Sequence, residues 1–286
     1  MTAFQKVIKY LAIAFAIYLI IMIVGVVFSV FAVIIGLEKW SNSGNQEIIE
    51  HNTVEYSDVK NMDIKLGICK LEIKEGEQLK VETSDVTDKF KCEVKNGTLK
   101  IEDNKMNTNI FENKVPQVTI YIPKDYKFEE IDLELGINNS NIYELNGKDI
   151  NIEIGVGKAR IDNLNGEKVE INGGAGETVI DNFNIERLDL EAGIGSMIIN
   201  GKISDNSDIV SGIGRLEINL VGQKDDYELR LQRGIGNLEI DGEKIREDEK
   251  IGSGSIKIRV EAGIGETEIN FVENNGFEEL PSGTAA

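Results

Sequence analysis

Residues that usually carry catalysis, metal binding or disulfide cross-links are scarce in this chain. One histidine, His51, one tryptophan, two cysteines and three prolines occur among its 286 residues. His51 has no partner at the spacing that a Ser-His, Cys-His or zinc site requires. Carboxylates are plentiful, but they recur at repeated positions, which is typical of a solvated face. The sequence therefore predicts a non-enzymatic protein without catalytic residues or a cofactor.

The two cysteines, Cys69 and Cys92, are too few to staple a small disulfide-rich domain. Neither belongs to a CxxC motif or has a histidine at zinc-ligand spacing. One disulfide in an oxidising compartment and two small buried apolar side chains are both compatible with this pattern. The spacing alone leaves the choice open.

Positive charge is in deficit. The chain has 31 basic and 50 acidic residues, for a formal net charge of -19 at pH 7. The first 37 residues contain two lysines and no acid, so the remainder carries a formal charge of -21. A domain of this charge should repel phosphate backbones and anionic lipid headgroups. Nucleic acid is therefore not an expected partner.

Residues 11–37 form the one long hydrophobic run and contain no charged side chain. As a helix of 27 residues, this segment would be about 40 Å long, enough to cross a bilayer with some tilt. A cleaved signal peptide has a shorter apolar core and a small-residue cleavage site, and neither is present. We expect an uncleaved membrane anchor; the alternative is a wholly buried core helix.

The flanking charges predict the orientation of this anchor. Lys6, Lys9 and the α-amino group precede the segment without an acid, whereas Glu38 and Lys39 after it cancel. By the positive-inside rule, the N-terminus should remain in the cytoplasm. We therefore expect a single-pass protein of the cell membrane whose remaining residues are extracytoplasmic.

Composition and periodicity divide the chain into four parts. After the cytoplasmic N-terminus and anchor (1–37), residues 38–55 are mostly polar and aperiodic, as in a short tether. Residues 56–272 show the period-two alternation of half-buried strands, as at Ile64, Leu66, Leu71 and Ile73. Residues 273–286 are interpreted as an acidic flexible tail.

An internal repeat of 19 residues dominates the strand-rich part. Five glycines are 19 residues apart, the same register returns twice after longer connections, and Gly67 marks an earlier copy. These anchor glycines are Gly136, Gly155, Gly174, Gly193, Gly212, Gly234 and Gly263.

Three positions of the repeat keep an apolar side chain relative to the anchor glycine. The third residue before it and the first residue after it are apolar in all eight copies. The sixth residue after it is always isoleucine: Ile73, Ile142, Ile161, Ile180, Ile199, Ile218, Ile240 and Ile269.

Each copy thus supplies a short strand, a glycine corner and a second strand, followed by a polar connection. The few inward side chains of one copy cannot form a core, but copies stacked about 4.8 Å apart would bury columns of Ile and Leu against one another. Eight such copies would span roughly 38 Å. The predicted fold class is all-β, a β-solenoid-like repeat domain of about 19 residues per coil, preceded by one transmembrane helix.

The repeats resemble a known bacterial family. The segments NGTLKIED (96–103) and VTIYIPKDYKFEEIDLELGINNSNI (118–142), followed by recurring GIGxxxI copies, are similar to the "putative adhesin" β-strand-repeat domain. The resemblance covers most of the chain after the anchor and implies a membrane-anchored β-solenoid without catalytic residues. Asn138 and Cys69 depart from the family pattern, since they occupy the usual position of the second corner glycine.

Stacking in register should place Glu134, Glu153, Asn172 and Glu191 in one exposed column. Like charges on adjacent strands destabilise a sheet at low salt. The three glutamates therefore form a candidate cation column that binds divalent ions loosely. The alternative is screening by counterions without a site, because the copies lack a dedicated calcium loop.

Two functional hypotheses follow from the anchor, the repeats and the scarcity of catalytic residue types. The first is a surface module, an adhesin or interaction scaffold, that presents its acidic strand face to an unidentified protein or cell-wall polymer. The second is an accessory or sensor protein in cell-envelope stress signalling, in which the membrane helix (11–37) contacts a signalling partner.

Overall fold

The structure is a computed structural model that describes residues 48–49, 52–87, 90–103 and 115–272. The predicted anchor at 11–37 and the predicted tail at 273–286 lie outside the described residues. Within the part that is described, no helix has the length and apolar character needed to span a bilayer.

The described part is built of strands, with one turn of 3-10 helix at Lys224–Asp226. All-β architecture is therefore confirmed. The strands are β1 (Ile48–Ile49), β2 (Asn52–Glu55), β3 (Asn61–Gly76), β4 (Lys80–Ser84), β5 (Val86–Thr87), β6 (Lys91–Lys95), β7 (Thr98–Asp103), β8 (Gln117–Pro123), β9 (Phe128–Asn172), β10 (Ala175–Glu191), β11 (Ile194–Ile203), β12 (Ser207–Val210), β13 (Ile213–Val221), β14 (Tyr227–Gln232), β15 (Ile235–Ile240), β16 (Glu243–Lys244), β17 (Glu249–Gly252), β18 (Ile256–Glu261) and β19 (Ile264–Val272).

Successive repeats stack as parallel strands, and each repeat is called here a coil and named by its anchor glycine. Ile161 pairs with Ile180, and Ile199 pairs with both Ile180 and Ile218, each one repeat away. Equivalent residues of neighbouring coils therefore lie directly above one another. β9 continues over 45 residues, because the ladder pairing runs through its corners from coil to coil.

The core lies between the two strand segments of each coil. All eight isoleucines of the sixth position are at most 2 % exposed, as are all eight apolar residues three before the glycine. The fourth residue after the glycine also points inward, and there the chain uses Ser140, Thr178 and Thr267 as well as apolar residues. This third inward column is not apparent in the sequence, because its residue types are mixed.

Six of the eight corners have two glycines, because the backbones of adjacent coils approach closely there, whereas Cys69 and Asn138 take the second position in the Gly67 and Gly136 coils. A Cβ at Gly155 would collide with the carbonyl oxygen of Gly136 in the coil below. Gly157 has φ of 135°, a value that residues with a Cβ rarely adopt, and a Cβ there would meet the carbonyl oxygen of Asn138. The repeated GxG sequence is therefore a consequence of stacking.

The spatial order of the coils departs from the sequence order at both ends. β3 (the Gly67 coil) pairs with β9 on one side and with β7 and β8 on the other, so a later segment forms the outermost layer. At the opposite end, β19 lies between β13 and β15, and β18 lies between β12 and β14. The Gly263 coil is thus inserted between the Gly212 and Gly234 coils.

Antiparallel strands cover the two ends of the stack. β6 pairs with β7 and β4 pairs with β8 at one end, while β17 pairs with β14 and β16 pairs with β15 at the other. Two of these pairs, β6–β7 and β15–β16, are hairpins with two-residue turns, Asn96-Gly97 and Asp241-Gly242, and all four φ values are positive. Asn-Gly and Asp-Gly are preferred in such tight hairpin turns, because both turn residues must adopt a positive φ.

The predicted tether, 38–55, overlaps the folded part. β2 pairs antiparallel with β4 from Asn52 to Glu55, and β1 pairs with β5. β1 is two residues long and β2 is four. Strands this short do not produce a recognisable period-two pattern in the sequence. The second part of the proposed tether is therefore an edge of the N-terminal cap.

Candidate functional site

The chain presents three parallel columns of side chains where its coils turn at the anchor glycine, and we call these columns together the corner face. An acidic column lies two residues before the glycine, an aliphatic ladder one residue after it, and a mixed column three residues after it. Because the coils stack in register, each column runs along the stack.

The acidic column contains the predicted cation residues, Glu134, Glu153 and Glu191. All three are exposed, and they line an open groove of about 460 Å³ floored by Gly136 and Gly155. In stack order, the column reads Lys65, Glu134, Glu153, Asn172, Glu191, Val210, Glu261 and Gln232.

Two neighbours reduce the repulsion within this column. Lys65 lies 3.9 Å from Glu134, and Asn172 pairs with Glu191 and so separates it from Glu153. In the described residues, no three or more His, Cys, Asp or Glu side chains converge at metal-ligand distances. The column therefore has the geometry of a screened acidic face.

The aliphatic ladder is the feature that sequence reasoning missed. Six of its members are exposed, from 42 % at Ile137 to 73 % at Ile235, whereas Ile68 and Ala175 are partly buried. In stack order, the ladder is Ile68, Ile137, Val156, Ala175, Ile194, Ile213, Ile264 and Ile235.

A contiguous row of exposed aliphatic side chains is uncommon on a monomeric soluble protein, where single exposed hydrophobic residues are the rule. The signal that could have found it is the glycine on each side of the apolar residue. Both glycines lack a side chain that could cover it. The ladder is therefore a ridge between two glycine rows.

The mixed column borders the ladder on its other side. In stack order, it reads Lys70, Asn139, Lys158, Glu177, Ser196, Arg215, Glu266 and Asn237. Lys158 lies 2.7 Å from Glu177 of the next coil, and Arg215 lies 2.8 Å from Glu217. The corner face thus has an acidic flank and a flank of mixed charge.

Asparagines tie neighbouring coils together along the second strand. The Asn219 side chain donates to Asn200 Oδ1 at 2.7 Å, and Asn270 donates to Asn219 Oδ1 at 3.0 Å. Asn182 donates in the same way to Asn163 at 3.1 Å. These ladders satisfy half-buried amides, and their role is structural.

A carboxyl group with a perturbed pKa lies near the N-terminal end of the stack. Partial burial raises the pKa of Glu144, and the negative charges of Asp125 and Glu75 raise it further. Lys124 and a 3.4 Å hydrogen bond donated by Asn165 oppose this shift. Glu144 is thus easier to protonate than an ordinary glutamate.

Both cysteines are free thiols. Cys69 is buried in the corner of its coil, where burial and the charge of Asp103 raise its pKa to about 12. Burial also raises the pKa of Cys92, whose Sγ lies 3.0 Å from the Tyr56 hydroxyl. Neither thiol is activated as a nucleophile by its surroundings. His51 lies outside the described residues.

Comparison with known proteins identifies the fold family. The family model Toastrack DUF4097 matches residues 59–278, which is more than half of the chain. A search of curated proteins finds no match.

Several solved structures are similar to this chain. A "putative cell adhesion protein" from Clostridium sporogenes has 15 % identity and a TM-score of 0.34, over 78 % of this chain and 99 % of that one. A "putative adhesin" from Bacteroides fragilis has 13 % identity and a TM-score of 0.40, over 79 % and 98 %. A "putative lipid binding protein" from Parabacteroides distasonis has 17 % identity and a TM-score of 0.30, over 80 % and 98 %.

Proposed function

The chain belongs to the Toastrack DUF4097 family, and from that premise we propose that it is a membrane-anchored surface module that binds other macromolecules through its corner face. The observation that carries this proposal is the aliphatic ladder, whose apolar side chains are exposed in six of the eight coils. Exposed apolar surface of this extent marks interaction sites on soluble domains.

The chemistry of the described side chains supports binding more than catalysis. Both thiols have raised pKa values, and Glu144 is bordered by further carboxylates. A catalytic site requires a nucleophile, an acid or a base converging on one reacting atom. The corner face instead offers extended columns, which suit recognition of an elongated partner.

The location of the module follows from the anchor proposed for residues 11–37. If Lys6 and Lys9 hold the N-terminus in the cytoplasm, protease added to wall-stripped cells should remove the repeat domain and protect residues 1–37. A tag at the N-terminus reports the protected fragment. Survival of the repeat domain together with loss of the tag would contradict this orientation.

Proximity labelling in intact cells tests the function itself. A labelling enzyme fused after residue 286 of the full chain should tag surface macromolecules, and the tagged set should shrink when Ile194→Ser and Ile213→Ser make the ladder polar. Val115→Ser, at an equally exposed apolar position outside the ladder, is the matched control. A set of tagged macromolecules unaffected by the ladder substitutions would contradict binding through this face. Tagging confined to membrane signalling proteins would favour the accessory role in envelope stress signalling.

A further inference from the structure

The aliphatic ladder and the acidic column run side by side along the stack. The exposed part of the ladder begins at Ile137 and ends at Ile235, which are six coil steps apart in stack order. At about 4.8 Å per step, this part is about 29 Å long. The acidic column lies three residues before the ladder along the chain, at most about 10 Å away. A partner that lies along the ladder is therefore also within reach of the acidic column.

The spacing of the ladder favours one conformation of a partner chain. An α-helix brings side chains back to the same face once per turn, about every 5.4 Å. An extended strand does so at every second residue, about every 6.8 Å. The coil step of about 4.8 Å is much closer to the helical repeat, and the difference adds up to less than one coil step between Ile137 and Ile235. A helix of about 20 residues would cover this distance with about one apolar side chain per coil.

Two carboxylates of the acidic column are available to a basic partner. Glu134 pairs with Lys65 and Glu261 pairs with Arg259, whereas the exposed Glu153 and Glu191 have no ion pair among the residues that the structure describes. These two glutamates are two coils apart, which is about 9.6 Å. Helix residues seven positions apart lie on one face at about 10.5 Å. Basic residues at this helical spacing would therefore meet both carboxylates.

The mixed column on the other side of the ladder does not select a charge in the same way. Lys158 pairs with Glu177, and Arg215 pairs with Glu217 within the chain. Acidic and basic side chains alternate along this column without an excess that would attract one sign over its whole length. The complementary helix is therefore basic along one edge of its apolar stripe only.

From this spacing and this one-sided charge, we infer that the corner face binds an amphipathic α-helix of another protein, which lies along the ladder. Its aliphatic stripe packs on the exposed ladder side chains, and Lys or Arg residues seven positions apart face Glu153 and Glu191. Ala175 is the smallest member of the ladder, so the helix can place a larger apolar side chain there, between Val156 and Ile194. The helix names the class of partner for the binding function proposed above, and it rests on that function.

A synthetic helix tests the apolar contact. The probe has about 20 residues, with leucine along one stripe and lysine at every seventh position along one edge of it. The full chain is immobilised in nanodiscs of zwitterionic phosphatidylcholine, and surface plasmon resonance measures binding against empty nanodiscs. The wild type should bind the probe, and Ile194→Ser with Ile213→Ser should raise the dissociation constant at least about 10-fold, because both side chains lie centrally in the contact. Val94→Ser with Tyr143→Ser, at exposed positions outside the corner face, is the matched control and should leave it unchanged.

Charge variants test the position of the basic edge. Glu153→Gln with Glu191→Gln should weaken binding about 10-fold at low salt and less at high salt, since the lost attraction is electrostatic. Glu130→Gln with Glu186→Gln removes the same charge from exposed positions about 20 Å along the chain from the anchor glycines, and it should change binding less than about twofold. A probe with glutamate in place of lysine should not bind the wild type, but it should bind Glu153→Lys with Glu191→Lys.

Thermal unfolding checks that each variant keeps its fold. No binding of the lysine probe above the empty nanodiscs, equal binding by the ladder variant, or equal binding of a probe with the same residues in scrambled order would overturn the helical partner. In intact cells, ladder-dependent labelling of wall polymers or lipids instead of proteins would overturn it as well. Ladder-dependent labelling of proteins without binding of the probe would overturn the helix and leave the binding function in place. Labelling that does not depend on the ladder would overturn the binding function itself.

Discussion

Two residues of the same type in one coil can differ widely in solvent exposure. Ile213 and Ile218 are both isoleucines of the Gly212 coil, yet the first is 50 % exposed and the second is fully buried. The two residues lie five positions apart in β13, so the period-two alternation of the strand places them on opposite faces.

This pair provides a prediction of stability within one coil. Ile218→Ala should lower the free energy of unfolding by about 2–5 kcal/mol, because it leaves a cavity in a close-packed core. Ile213→Ala should cost less than about 0.5 kcal/mol, since the side chain is half in water already. Denaturant unfolding of both variants measures the difference. Equal losses would mean that the inward register is wrong.

Asn200 follows the buried Ile199, and Glu217 precedes the buried Ile218. Both should tolerate substitution less well than other outward-facing polar residues. Asn200 accepts a hydrogen bond from Asn219, and Glu217 pairs with Arg215. A polar residue on the outer side of a strand would be expected to accept Asp within about 0.5 kcal/mol. Because of these contacts, Asn200 and Glu217 are not suitable as neutral control positions for substitutions of the buried isoleucines.

A corner glycine gives a second prediction at this scale. Gly195 has φ of 131°, and an added Cβ would collide with the carbonyl oxygen of Gly176. Gly195→Ala should therefore lower the free energy of unfolding by roughly 3 kcal/mol or more. Gly67→Ala is the matched control, because the nearest atom to its Cβ is at an ordinary 3.6 Å. Similar midpoints for both variants would contradict the requirement for glycine.

Glu144 predicts a pH dependence. Because its folded pKa is raised by burial and by Asp125 and Glu75, the ionised side chain opposes folding at neutral pH. That cost is lost as the pH falls through the folded pKa towards the ordinary value of a glutamate. Glu144→Gln should therefore stabilise the protein at pH 7, and the advantage should shrink on acidification. Parallel pH profiles for wild type and variant would contradict this.

At the scale of elements, the acidic column is the main electrostatic feature. Asn172 interrupts the glutamates and Lys65 is close to Glu134. We therefore expect salt to stabilise the column by screening rather than by occupying a site. Thermal unfolding should be the same in calcium and in sodium at matched ionic strength. A calcium-specific rise that disappears in the Glu153→Gln, Glu191→Gln double variant would instead establish a cation site.

The elements also show how far the sequence predicts the fold. The 19-residue spacing of the glycines and the isoleucine six residues after each of them predict an all-β repeat. Stacking requires a similar residue at the same place in every coil. The order of the coils is not predictable in this way. The Gly212 coil offers the same columns to the Gly234 coil as to the Gly263 coil, so pattern alone does not choose between them.

The end caps were unpredictable for another reason. β6 and β16 are short and polar, and they pair in an antiparallel manner outside the repeat. Only the Asn96-Gly97 and Asp241-Gly242 turns signal them. The aliphatic ladder was missed because an apolar residue at a fixed repeat position is normally taken as core, and only the flanking glycines distinguish it.

At the scale of the whole molecule, the inserted Gly263 coil makes the C-terminal half depend on its last strands. Truncation after residue 255 removes β18 and β19, which separates the Gly212 coil from the Gly234 coil. The shortened chain should lose the melting transition of the intact protein and become protease-sensitive beyond about residue 221. Truncation after residue 272, which removes no described residue, is the control. An unchanged melting transition after truncation at residue 255 would contradict the inserted position of the Gly263 coil.

The same insertion has a mechanical consequence. A solenoid pulled by its ends normally peels coil by coil, because each terminal strand is held along one edge only. Here β3 and β19 are each held along both edges, and a further layer lies outside each of them. Tension on the strand that ends at Val272 must break two hydrogen-bond ladders at once, one to β13 and one to β15. The stack should therefore unfold under tension in a single event at high force rather than in a series of events at low force.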